Sequence, residues 1–194
     1  MVVFTRQIGL AAVAVVTAGI AQASEGPFGV SMGESPDVLG CKPIESPGFY
    51  RCATLPKPHP AFEFYVVKST AETGICWVKG IGTDINTNPS GSSIRSKVDD
   101  LKEQVALSYG KPEHDDWLMS GSIWGNYEDW MMGLLKEERI YAYKWSHPSK
   151  NDLILVYLGA TASNSSSAYP VVEFSFSNKD KCDELIKKKE AGSF

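Results

Sequence analysis

No stretch of this 194-residue chain is strongly basic: 19 Lys and Arg face 23 Asp and Glu, and Lys187-Lys188-Lys189 is the one run of adjacent cations. A nucleic-acid surface needs a basic patch to displace the counterions around phosphate groups. No nucleic-acid partner is expected. The lysine run falls at the end of an expected C-terminal helix, where cations suit the helix dipole. Long apolar runs are also missing. A spanning helix takes about 20 apolar residues, and the longest stretch here is Ile8 to Ala21. Residues beyond that stretch are expected to contain no membrane span.

Cofactor and metal signatures are scarce. The four cysteines, Cys41, Cys52, Cys76 and Cys182, have no C-x-x-C spacing, so zinc has no ligand pattern. Gly80-Ile81-Gly82 lacks the third glycine of a dinucleotide fingerprint. Asp84, Asn86 and Asn88 place oxygens at alternate positions, as a calcium loop does, but Pro89 stands where the sharp turn wants glycine and Arg95 where a bidentate Glu is needed. The expectation is no cofactor and no metal, with these three residues as the alternative.

What is present begins with an address. Arg6, the apolar run to Ala21 and the small residues of Ala21-Gln22-Ala23 follow the layout of a secretory signal peptide, cut between Ala23 and Ser24. Removing residues 1–23 leaves 24–194 as a single α+β domain in the periplasm or the medium, one charge more acidic for the loss of Arg6. An even cysteine count in an exported chain reads as disulfides. Cys41–Cys52 would close a small loop over Ser46-Pro47-Gly48. Cys76–Cys182 would staple the C-terminal helix to a central strand.

Residues 34–40 can form a short helix, with Ser35 as N-cap and Pro36 in its first turn. A strand follows around 48–54, then a connector stiffened by Pro56, Pro58 and Pro60. Residues 61–68 and 74–81 read as a hairpin rich in Phe, Tyr, Val, Ile and Trp. Ile94, Val98, Leu101 and Val105 recur at helical spacing. Ser92 or Ser93 can cap that helix, and Gly110 with Pro112 stops it. Residues 115–125 read as a connector carrying Trp117 and Trp124. A second helix is expected from Asn126 to about Glu138, with Tyr127, Trp130, Met131, Leu134 and Leu135 as its apolar stripe. Strands over 139–146, 153–159 and 171–177 follow, with a Ser-rich loop over 161–168 and a last helix over 180–189. The whole predicts a mainly antiparallel sheet with helices packed on one face. Two α-β-β-β-α halves, 34–109 and 127–190, are a possible pseudo-repeat.

Phe28-Gly29-Val30-Ser31-Met32-Gly33, continuing to Gly40, resembles the opening of BamE/SmpA-like small bacterial envelope domains, and Leu107 to Pro112 is similar to helix exits in such exported domains. The chain departs from them in lacking a lipid-bearing cysteine and in being longer. The resemblance implies a non-catalytic role in the cell envelope.

The sequence therefore points to an exported protein-binding module of adaptor, inhibitor or immunity type. Its partner would be another envelope or secreted protein, met by Trp117 and Trp124, since aromatic residues in loops suit binding hot spots. One alternative is an exported hydrolase using Ser122, His114 and Asp116. Gly121-Ser122-Ile123-Trp124-Gly125 superficially suggests a nucleophile turn, though the serine is second rather than central. Another is a binder of a small lipid or sugar, which requires an apolar pocket.

Overall fold

The computed structural model describes residues 26–192. The expected signal peptide and its expected cleavage site lie outside the described residues. The chain is α+β. Its antiparallel sheet contains β1 (Lys42–Pro43), β2 (Phe49–Cys52), β3 (Phe62–Thr70), β4 (Gly74–Gly82), β5 (Ile85–Asn86), β6 (Glu113–Leu118), β7 (Arg139–Ser146), β8 (Leu153–Asn164) and β9 (Ser167–Phe176). The helices are α1 (Ser92–Tyr109), α2 (Trp130–Leu135) and α3 (Lys179–Ala191). The sheet order is β1-β2-β3-β4-β9-β8-β7-β6, with β5 beside the start of β9. Two meanders, one from each half of the chain, thus meet where β4 pairs with β9.

Alternation along the strands builds the main core. Val67, Val78, Val172, Phe174, Val156 and Leu158 point to one face and share one buried core with Ile94, Val98 and Leu101 of α1. Tyr141, Tyr143 and Trp145 extend this core along β7, as their spacing predicts. α2 joins the same face through Trp130, Met131 and Leu134.

α3 lies on the other face, which departs from the expectation of all helices on one side. A bulge causes it. The β3–β4 register steps from Lys68↔Trp77 to Ser69↔Ile75, so Cys76 is the extra residue and sits with Trp77 on the reverse face. There Cys76 and Trp77 form a second cluster with Cys182 and Ile186 of α3. Lys68 adds an ion pair to Asp183 at 2.8 Å. Both disulfides pair as expected, Cys41 with Cys52 and Cys76 with Cys182. α3 covers only one end of this face. The rest carries ion-paired rows, Lys79 with Glu173 at 3.0 Å and Lys144 with Asp115.

Several local expectations are corrected. Residues 34–40 make successive turns rather than a helix, with Val38, Leu39 and Gly40 each donating to the carbonyl three residues back. Residues 33–34 are instead tied to Ile75 through Gly33 N–H to Ile75 O and Ile75 N–H to Glu34 O. Neither Ser92 nor Ser93 caps α1. Asn88 Oδ1 accepts the Ser92 N–H and Thr87 Oγ1 the Ser93 N–H. The Ser-rich 161–168 segment is mostly strand: β8 runs to Asn164, β9 starts at Ser167, and Asn164 Oδ1 holds the turn by accepting from Ser166 N–H. The second helix is a 3-10 turn at Tyr127–Asp129 followed by the short α2, and Glu137 at φ +59° ends it. Residues 115–118, the first four of the expected connector, belong to the edge strand β6.

Candidate binding site

Among the described residues β6 pairs only with β7 and forms an edge of the sheet. Glu113, His114, Asp115 and Asp116 fill its first four positions. Charges on an edge strand oppose pairing with a further strand. The sequence reasoning missed this strand because an edge strand exposed on both faces shows no apolar alternation.

Beyond Asp116 the character changes. Trp117, on the face opposite α1, is 45% exposed. Leu118 turns inward toward Gly133 of α2. Met119 N–H donates to Glu138 O at 2.7 Å and so fixes the end of the strand. A turn follows, closed by Ser122 N–H to Met119 O, with Gly121 at φ +84°. The chain then climbs through Trp124 and Asn126 to the 3-10 turn at Tyr127. Along this climb Met119 is 50% exposed, Ile123 76% and Tyr127 69%. With Trp117 they make four of the eight exposed large apolar residues among the described residues, and they fall within eleven consecutive positions.

Trp117 and Trp124 therefore share one segment, as their expected roles require, but differ in access. Trp124 is half-buried, and its backbone N–H donates to Ser122 Oγ at 3.2 Å. Met119, Ile123 and Tyr127 were not singled out from sequence. Tyr127 reads as part of a helical stripe; the structure leaves it outside, because the α-helix starts three residues later. Residues 113–129 contain no Lys or Arg. Asp115 and Asp116 are neutralised by Lys144 and Arg139, whereas Glu113 and Glu128 are exposed and make no ion pair among the described residues.

The residues of the hydrolase alternative have separate engagements. The His114 ring stacks on Tyr143 at 4.4 Å and meets Tyr141 edge-on. Asp116 Oδ1 accepts from Arg139 at 3.4 Å. Ser122 Oγ accepts the Trp124 N–H. No hydrogen bond joins the three among the described residues. The tyrosines beside His114 both donate to Asp99 Oδ1 of α1, at 2.5 and 2.8 Å. Burial, and next the bond to Asp99, push the hydroxyls of Tyr141 and Tyr143 up from the usual tyrosine range. They are neutral donors that clamp α1 to β7.

The residues of the calcium alternative are also divided. Asp84 Oδ1 accepts from Ser163 Oγ, Asn86 pairs with Ser167 in the sheet, and Asn88 Oδ1 serves Ser90 and the start of α1. No group of three His, Cys, Asp or Glu is placed to hold a metal ion among the described residues.

Comparison with protein-family models, with curated proteins and with solved structures found no match. The functional reading therefore rests on the geometry of this chain.

Proposed function

We propose that the chain is an exported, non-catalytic protein-binding module that meets its partner through residues 117–127. The concentration of exposed Trp117, Met119, Ile123 and Tyr127 in one segment carries this reading. Aromatic residues and Met are enriched in interface centres, and clustered apolar exposure costs solubility unless it is used. Exposed Glu113 and Glu128, in a segment with no Lys or Arg of its own, favour a partner whose contact patch is apolar at its centre and carries basic residues beside it. Two disulfides accord with an oxidising compartment, and the leader read from residues 1–23 supports export. No described helix is long and apolar enough to cross a membrane. An adaptor, inhibitor or immunity-type role suits such a surface, and the resemblance of residues 28–40 to BamE/SmpA-like openings supports a non-catalytic role in the envelope.

The test is affinity capture from envelope and secreted fractions, followed by titration of the captured protein. Trp117→Ala combined with Tyr127→Ala is expected to weaken binding at least tenfold, since a central aromatic contributes about 2 kcal/mol or more at a hot spot. The melting temperature should not move, because both side chains are exposed. Unchanged affinity in the double variant would remove this surface from the account.

A further inference from the structure

α1 packs mainly on β8 and β9, and between it and Phe62 of β3 lies a cavity of about 320 Å³. Its walls are aromatic and aliphatic: Phe28 from the first described residues, Phe62 from β3, Val105 from α1, Leu158 from β8 and Phe174 from β9. No Lys, Arg, Asp or Glu lines it. Polar atoms gather at the rim, where His59, Gln104 and Ser108 stand.

Two features show that the cavity is built rather than left over. Phe28 holds a left-handed backbone, φ +56° and ψ +21°, a conformation bulky residues avoid unless the surroundings enforce it. Lys57 N–H fixes it by donating to Phe28 O at 3.0 Å. The strained backbone aims the ring into the aromatic wall, 4.8 Å from Tyr65, 5.6 Å from Phe62 and 5.5 Å from Phe174. The second feature is the orientation of His59. Its Nδ1 accepts the Ala61 N–H at 3.2 Å, which places the ring hydrogen on Nε2. That Nε2–H points to Gln104 Oε1 at 3.0 Å across the mouth. The pair can part to give a hydrogen-bond donor and an acceptor to a guest.

We infer that this cavity binds a small uncharged amphiphile, an alcohol with an apolar body and its hydroxyl between His59 and Gln104. The volume sets the size. It is about twice the ~150 Å³ hydrocarbon cavity that admits one benzene, which suits a body of roughly ten carbons, and it lies at the lower end of ligand pockets. The uncharged walls set the class. A carboxylate or ammonium would lose its hydration here without gaining a counter-ion. A ligand of this kind leaves the 117–127 surface untouched, so the inference stands apart from the proposed function.

Isothermal titration calorimetry of the purified exported protein with 1-octanol and with 2-naphthol tests it, the two probes distinguishing an aliphatic from an aromatic guest. One-to-one saturable binding of at least one probe is expected, with octanoate at least tenfold weaker than 1-octanol. Val105→Trp fills the cavity from α1 and should weaken binding at least tenfold. Ser108→Trp, at an exposed position on the mouth, should do the same without disturbing the fold. Trp117→Ala should leave binding unchanged. Absence of saturable binding by both probes would overturn the inference. So would octanoate binding as well as 1-octanol, or undiminished affinity in Ser108→Trp.

Discussion

Gly91 shows how one residue joins two elements. It precedes α1 at φ +71°, and a Cβ built there would lie 2.2 Å from Cε3 of buried Trp130. Gly91→Ala therefore meets both a left-handed backbone and a ring with no room to move. It should cost roughly 2–4 kcal/mol, read as a lower urea midpoint. A cost below about 1 kcal/mol would mean that α1 and α2 do not pack as described. The tyrosines of β7 give a second prediction at this scale. Their hydroxyls ionise less readily in the folded chain than in the unfolded one, whose ordinary value is 10.0. The stability they contribute is present in full below pH 10 and is lost as pH rises through the higher folded values. The urea midpoint should fall above pH 10, and Tyr141→Phe should flatten part of that fall. A midpoint independent of alkaline pH would contradict the Asp99 clamp.

Elements were legible in the sequence where their signal is local. α1 carries its stripe in Ile94, Val98 and Leu101, and all three are buried. β7 alternates because Tyr141, Tyr143 and Trp145 enter the main core while Lys144 and Ser146 are left more accessible. β6 was illegible, since Glu113 to Asp116 face water on an edge and carry no periodicity. The 165–166 hairpin was hidden for another reason: Ser163, Asn164 and Ser166 favour turns locally, and only pairing with β9 carries β8 that far. The placement of α3 was partly legible. The Cys76–Cys182 pairing was expected, but the side of the sheet depended on a bulge, and a bulge follows from the register of a partner strand. The staple makes α3 separable from the main core. The double variant Cys76→Ala, Cys182→Ala should lose about 2–4 kcal/mol of stability. Amide exchange in α3 should quicken before that in β8 and β9, because α3 packs on its own small cluster. Equal protection of α3 and β9 in that variant would show the helix to be part of the main core after all.

At the scale of the whole molecule, the sheet separates two surfaces of different chemistry. On the α1 side an aromatic cavity open at one mouth suits a small guest. At the β6 edge an open apolar segment with acidic flanks suits a protein. Trp117 and Trp124 marked that edge in the sequence because tryptophans outside regular apolar patterns stand out. Met119, Ile123 and Tyr127 did not, since their exposure depends on where β6 ends and on how late α2 begins. The distribution of exposed apolar residues makes the distinction testable. Leu107 is 90% exposed on α1 and stands apart from the 117–127 segment in sequence. The most direct measurement is photo-crosslinking in cells expressing the protein, with a photoreactive side chain placed at position 123 in one variant and at position 107 in another. A discrete partner adduct from position 123, absent from position 107 and lost when Trp117→Ala and Tyr127→Ala are added, is the result expected. Equal labelling from both positions, or an adduct indifferent to those two substitutions, would contradict the assignment of residues 117–127 as the contact surface.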